Sequence, residues 1–504
     1  MKKAMICVLT VVLFLAFNQV TSAQAKKKDD EMKLKVKGVY TAWFQKQQDF
    51  FFGKTNYNDN YVVQMLRLHM SFAFADYVKA VTRFDMAQGW WGVDNTDFRT
   101  DFTDAPNLSS RFSNKDTNYN LHVDIGYLDF LVPNAPFPID IRVGRMYYVL
   151  GNKLVLDSNF DGIQVDFKTK SGTIGLNYAK VSEGRGGFSP LSDNDNSSTG
   201  GADGDDADLI AVKFNRKTSN LSYGLFGMYY NDRGDDAGST FILNGLDYAK
   251  TRFSPNISTL GAFGVTADYV NKGLGLKIKG EFDYLNGKDH VANTNSGTNQ
   301  LSDVNNGDLN GYNLYLKGTK AVGPKVDVGV TFGLGSGDDN LAGGSGNVNK
   351  LKTMGFFYIT ELWEDSIMPD EEGITPQGLG APNTRGYREL ENSTIIQGSL
   401  LYKVAPKLKF YGSYSLIRAT NDIHGWGDTN GDGVIETSEF SPQSSKTIGS
   451  EFDVKIDYSI YKQLVWSLRG GYLIAGDGAQ LLINGNTNND NNPWEAKMTI
   501  TFKF

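Results

Sequence analysis

Residues Trp494 to Phe504 alternate between large apolar and polar side chains without a break. Trp494, Ala496, Met498, Ile500, Phe502 and Phe504 hold one parity; Glu495, Lys497, Thr499, Thr501 and Lys503 hold the other. A period of two belongs to a strand, whose successive side chains point to opposite faces. The pattern recurs. Leu66, Leu68, Met70, Phe72 and Phe74 alternate with Arg67, His69, Ser71, Ala73 and Ala75. Leu274, Leu276, Ile278, Gly280, Phe282 and Tyr284 alternate with Gly275, Lys277, Lys279, Glu281 and Asp283. Ile448, Phe452, Val454, Ile456 and Tyr458 oppose Glu451, Asp453, Lys455 and Asp457. A soluble barrel packs its apolar face inward. Strands this charged on one face suit a wet lumen inside and lipid outside.

Candidate strands begin near residues 33, 61, 78, 119, 137, 160, 172, 207, 219, 259, 273, 311, 325, 394, 407, 447, 463 and 494. The expected fold is all-β: a transmembrane antiparallel up-and-down β-barrel of about eighteen strands, with sixteen as the lower count. Short connections fall at Asp76, Pro133–Pro136, Lys170–Gly172, Arg216–Ser219, Asn271–Lys272, Val322–Pro324, Ala405–Pro406 and near Tyr461. Longer loops rich in Asp, Asn, Gly and Ser lie between them. That alternation fits short periplasmic turns and long extracellular loops. Composition agrees: 56 Gly, 25 Tyr, 31 Phe and 7 Trp against 13 Pro and 4 His. Glycine suits turns and crowded lumens, and aromatics suit interface girdles. Trp90, Trp91, Tyr147, Tyr148, Tyr229, Tyr230 and Trp494 are the expected anchors.

Ahead of the strands, Lys2 and Lys3 precede an apolar run from Ala4 to Phe17 and the small-residue stretch around Ala23 and Ala25. This reads as a signal peptide over residues 1–25, cleaved after Ala23 or Ala25. Residues 26–32 form a short periplasmic tether, and 33–504 form the barrel. The single cysteine, Cys7, lies in the signal, so the exported chain has no disulfide. The expected location is the outer membrane of a Gram-negative bacterium. Expected partners are its lipid and lipopolysaccharide, the barrel-insertion machinery and small hydrophilic solutes, with the protein a monomer or trimer. The net charge of −7 gives no sign of nucleic-acid binding. His69, His122, His290 and His424 have no neighbouring nucleophile motif or zinc spacing, so no enzyme is expected.

Asp428, Asn430, Asp432, Val434, Glu436 and Glu439 occupy the ligand positions of a twelve-residue calcium loop, with Gly433 at its sharp turn. A structural Ca2+ in an outward loop at 428–439 is expected. A second acidic run, Asp193, Asp195, Asp203, Asp205, Asp206 and Asp208, lacks ligand spacing and reads as a solvated loop. The longest loop, near 335–392, carries the apolar stretch Gly355 to Asp365 and is expected to fold into the lumen. Glu361, Glu364 and Asp365 would then make an acidic constriction. Parity places Arg67, Lys79, Arg83, Arg142, Arg418 and Arg469 on a basic wall, and Glu281, Asp283 and Glu451 on an acidic one.

The segment from Val143 through Gly151, followed by Asp161-Gly162-Ile163-Gln164-Val165-Asp166-Phe167, is similar to a hairpin of alginate-export-type and related general porins. Leu400 to Phe410 resembles a later hairpin of the same group. The terminal Phe504 resembles the C-terminal insertion signal of bacterial outer-membrane barrels. The resemblance implies an eighteen-stranded monomeric channel. An alginate exporter would need a strongly basic lumen. The inward positions here are mixed, which favours small polar solutes diffusing passively. Two further readings stand beside the porin: a surface structural or adhesion barrel with calcium-stabilised loops, and a sugar or alginate-type exporter.

Overall fold

A computed structural model describes residues 32–54, 56, 58–74, 77–91, 122–182, 207–232, 257–289, 307–337, 355–367, 390–427, 429 and 437–504. The segment expected as a signal peptide (1–25), residues 26–31 of the expected tether and the acidic run up to Asp206 lie outside them. The strands are β1 (Met32–Gln48), β2 (Asn58–Phe74), β3 (Val78–Trp90), β4 (His122–Leu131), β5 (Ile139–Leu150), β6 (Leu156–Thr169), β7 (Gly172–Ser182), β8 (Ala207–Lys217) and β9 (Leu221–Asp232). They continue as β10 (Ile257–Asn271), β11 (Leu276–Asp289), β12 (Gly307–Ala321), β13 (Val326–Gly335), β14 (Ser393–Ala405), β15 (Leu408–Trp426), β16 (Phe440–Ser459), β17 (Leu464–Ala475) and β18 (Trp494–Lys503). One helix, α1 (Asp477–Asn484), lies in the last loop.

Each strand pairs antiparallel with its chain neighbours, and β1 pairs with β18, so an 18-stranded sheet closes on itself. Closure removes every open edge, which is what lets a sheet sit in hydrocarbon. The seam is held from Val39↔Lys503 to Gln48↔Trp494. Below it, Gly38 and Phe504 exchange backbone hydrogen bonds of 2.8 and 3.0 Å. The Phe504 ring lies where a Gly38 Cβ would stand and stacks on Phe502 at 5.5 Å. Gly38→Leu is therefore expected to displace that ring and lower the temperature at which the folded band is lost on unheated gels. An unchanged transition would show that Phe504 packing contributes nothing to closure.

Alternation decides which way each side chain faces. On β16, Phe452, Val454 and Tyr458 are exposed while Glu451 and Asp453 are buried. On β11, Ile278, Phe282 and Tyr284 face out while Glu281 and Asp283 are buried. Leu128, Val143, Ile174, Val212, Phe263, Leu316, Val330, Ile396 and Leu400 continue the outer belt around the barrel. An apolar belt of this extent, broken on β5–β6 by the Arg145–Asp161 pair at 3.5 Å, belongs against hydrocarbon, not water. Tyr402, Tyr458 and Phe502 flank it on the short-turn side, and Trp91, Tyr147, Tyr229 and Tyr472 on the long-loop side.

Several expectations need correction. Tyr147 and Tyr229 face outward as anchors, but Tyr148 and Tyr230 are buried inside, because neighbours in a strand take opposite faces. Arg418 is exposed on the face it shares with Tyr414 and Leu416, so it leaves the basic wall. It stands near the long-loop end, where a long cationic side chain reaches the polar interface. Ile448 is buried inside, unlike Phe452 and Val454. A bulge leaves it unpaired: Ile417 pairs with Gly449 and Arg418 with Thr447. Asp208 is in β8, where it accepts a 2.8 Å hydrogen bond from the Tyr178 hydroxyl, and is not in a solvated loop. Nor is the lumen wet throughout. Met146, Tyr148, Phe160, Leu209, Phe226, Tyr230, Leu260 and Leu285 belong to one buried apolar cluster over β5–β12, towards the long-loop end.

Candidate functional site

The barrel is cross-braced by two inward loops. The short connection after β5, residues 151–155, turns inward and buries Leu154 and Val155. Positive φ at Gly151 and Lys153 tightens it. Its Asn152 backbone N–H donates to Glu281 on β11 at 2.5 Å. The second brace is residues 355–367 of the long loop. Its Phe356 N–H donates to the Lys153 carbonyl at 2.9 Å, so the two loops meet. Gly355 lies so close to the Leu154 carbonyl that no Cβ fits there.

From that meeting point the second loop runs to the far wall. Phe357 packs edge-on against Tyr315 of β12 at 4.9 Å. Gln397 of β14 donates to the Ile359 carbonyl at 2.9 Å. A single π-helical turn, Trp363–Ile367, then presents its N-terminal backbone to β16. Glu451 accepts both the Leu362 and Trp363 N–H groups, at 2.7 and 2.9 Å. A carboxylate receiving two N–H groups at a helical N-terminus combines charge-assisted bonds with a favourable dipole. Leu362, Trp363 and Ile367 are buried with Phe50 and Phe52 of the β1–β2 connection and Leu481, Leu482 and Ile483 of α1. The expected fold-in of the long loop is thus realised over 355–367.

Its acidic residues do not form the simple acidic ring expected. Glu361 accepts from Arg469 at 3.4 Å. Asp365 lies 3.9 Å from Lys497, which also sits 3.6 Å from Glu495. Glu364 is turned into its own loop and accepts the Ile359 and Thr360 N–H groups at 2.8 and 3.0 Å. Each charge is used to hold the brace. Gln45 and Gln47 of β1 both donate to Glu495, at 2.5 and 2.8 Å, a pairing that alternation alone did not reveal.

Across the barrel, the inward face of β2–β6 carries a lattice of opposite charges. Arg67 binds Asp85 through two hydrogen bonds of 2.6 and 2.7 Å and lies 3.7 Å from Asp124. Arg83 also binds Asp124. Asp129 joins Lys79 at 3.1 Å to Arg142 at 3.2 Å, and Arg142 reaches Asp166 at 3.9 Å. The basic side chains keep partial exposure, 45% for Lys79, 30% for Arg67 and 32% for Arg142, so this wall is in water. Arg67, Lys79, Arg83, Arg142, Glu281, Asp283, Glu451 and Arg469 therefore all lie on inward faces. They form two groups: the wet lattice of β2–β6, and the buried brace contacts of β11, β16 and β17.

Of the calcium-type loop, Asp428, Asn430, Asp432, Val434 and Glu436 lie outside the described residues. Glu439 is described: its carboxylate accepts the Thr429 N–H at 2.7 Å and hydroxyl at 2.6 Å, bringing the two ends of the segment together.

No protein-family model and no curated protein matches the chain. Solved structures do. OccK8 (OprE) of Pseudomonas aeruginosa superposes with a TM-score of 0.51 at 12% identity, covering 94% of this chain and 98% of that one. The outer-membrane protein OprD of the same organism gives 0.50 at 10% identity, covering 96% and 97%. Its outer-membrane protein opdK gives 0.50 at 9% identity, covering 94% and 98%. Likeness at this identity establishes a shared barrel fold over nearly the whole chain.

Proposed function

We propose that the protein is an outer-membrane porin, a channel through which small hydrophilic solutes diffuse down their gradients. The observation that carries this reading is the closed barrel itself, apolar outside, with a wet, charged wall on β2–β6 facing an inward brace. Solutes pass between that wall and the half-buried flank of the brace. Size is limited by the gap, and charge preference by the field between Arg67, Arg83, Lys79 and Arg142 and their aspartates. Pairing most of those cations with carboxylates gives no strongly basic lumen, which argues against export of a polyanion such as alginate. Liposomes containing the refolded protein should swell in isosmotic solutions of small sugars or amino acids, with rates that fall steeply as solute size increases. Equal rates with protein-free liposomes would overturn the proposal.

Two subsidiary proposals rest on the sequence. The 428–439 loop binds calcium as a local clamp, with a dissociation constant of about 10⁻⁴–10⁻³ M for an isolated extracellular site. Asp428→Ala is expected to remove that binding in a calorimetric titration while leaving solute flux unchanged. An undiminished calcium isotherm would refute the assignment. Phe504 acts as the insertion signal, a role separable from its packing on Gly38.

A further inference from the structure

Glu281 and Asp283 are two residues apart on the inward face of β11, and both are buried. As same-face neighbours on one strand, their carboxyls lie close enough to repel each other electrostatically. One Glu281 oxygen accepts the Asn152 N–H, but the other oxygen, and both oxygens of Asp283, have no hydrogen-bond partner. Directly opposite Asp283 in the ladder stands Asn313, fully buried, with its amide oxygen and nitrogen also unpartnered. Among the described residues no lysine or arginine comes within ion-pair distance of either carboxylate; Lys279, two positions along the same face, acts on Glu281 only at longer range. The backbone closes around them: Gly151 lies against a Glu281 oxygen and Gly264 against an Asp283 oxygen, and neither position has room for a Cβ.

Burying two carboxylates with a single backbone donor between them and no ion-paired countercharge is strongly unfavourable. A proton shared between them joins one oxygen of each. With the Asn313 NH2 turned to the second Asp283 oxygen, this still leaves the Asn313 oxygen unanswered and one negative charge buried on the pair. A hard cation answers all of them together. The four free oxygens are one from Glu281, two from Asp283 and one from Asn313. They come from carboxylates and an amide, the donor types calcium takes, and the two negative charges balance a divalent ion. Calcium accepts irregular sets of six to eight oxygens, whereas magnesium demands near-octahedral geometry and retains several waters. The irregular donor set here matches calcium.

We propose that Glu281, Asp283 and Asn313, closed over by the 151–155 loop, form a binding site for one calcium ion inside the barrel wall. The ion would tie the first brace to β11 through the Asn152–Glu281 contact. The site is separate from the 428–439 loop and does not depend on what the channel carries.

The test is the calcium content of the refolded, full-length barrel by atomic emission, after gel filtration in micromolar free calcium. It is done in a Glu439→Gln background, which disables the other loop. One calcium per chain is expected in that protein, and at least a tenfold loss in the Glu439→Gln/Asp283→Asn variant. Asn313→Asp, which keeps an oxygen at the same point, should retain the ion. No calcium in the Glu439→Gln protein, or an unchanged content after Asp283→Asn, would overturn the proposal. If Asp283→Asn fails to fold, the Glu439→Gln measurement alone still decides.

Discussion

Glu451→Gln is expected to raise single-channel conductance roughly twofold and to add open-channel noise, by releasing the 355–367 brace from β16. The carboxylate offers one oxygen to Leu362 N–H and the other to Trp363 N–H. An amide of the same shape offers a single acceptor and turns its NH2 against the second N–H. One charge-assisted bond is lost and a buried donor is left facing a donor, a penalty of about 3–5 kcal/mol. Against that penalty the partly exposed Arg469–Glu361 pair contributes about 0–1 kcal/mol, while the buried Lys497 meets Asp365 only at 3.9 Å. The outer belt is untouched, so the variant should migrate as a folded barrel on unheated gels. Planar-bilayer recording checks this directly. A folded Glu451→Gln barrel with unaltered conductance would mean that the brace does not narrow the conducting path.

The second large effect is on stability. Val454→Arg is expected to destabilise the barrel by about 2–4 kcal/mol, the cost of arginine on the lipid face near the bilayer midplane. Val454 is exposed on the outer face of β16, within the lipid-facing run from Phe452 to Tyr458 and between Gly412 and Gly470. The control is Ser399→Arg. Ser399 is inward on β14, opposite Gly329 and Ser413, and Ser413 in turn binds Asp453 at 3.0 Å. A new guanidinium there meets water and a nearby carboxylate, so its effect should stay within about 1 kcal/mol. Urea unfolding from lipid vesicles measures both. Equal destabilisation by the two arginines would remove the distinction between lipid face and lumen face on which the fold reading rests.

How much of this was legible in the sequence follows from what alternation encodes. It encodes facing, strand by strand, and the eighteen strands of the closed sheet begin close to where the pattern begins. It placed Glu451, Glu281, Asp283, Arg67 and Arg469 inward, where they are. It failed where the backbone slips by one residue, as at the Ile448 bulge, which nothing but Gly449 marks in the sequence. Tyr147, Tyr148, Tyr229 and Tyr230 are all expected as anchors from their place near strand ends, although adjacent residues cannot share a face. The parity expected for Arg418 is off by one, since it lies on the outer face with Tyr414 and Leu416. Partners were not legible at all. Glu451 binds backbone N–H groups 88 and 89 residues away, and Gln45 binds Glu495 across the seam, contacts set by three-dimensional closure. The apolar inward residues over β5–β12 were hidden for a related reason: a strand buried on one face and lipid-exposed on the other is hydrophobic on both.

The central claim is an open, water-filled path along the β2–β6 wall beside the brace. Its most direct test is the conductance of the refolded protein in a planar bilayer under a salt gradient. The account predicts stable, discrete steps, with a reversal potential that shifts when Asp85 or Asp129 is neutralised. A correctly folded, heat-modifiable barrel that conducts nothing would contradict it.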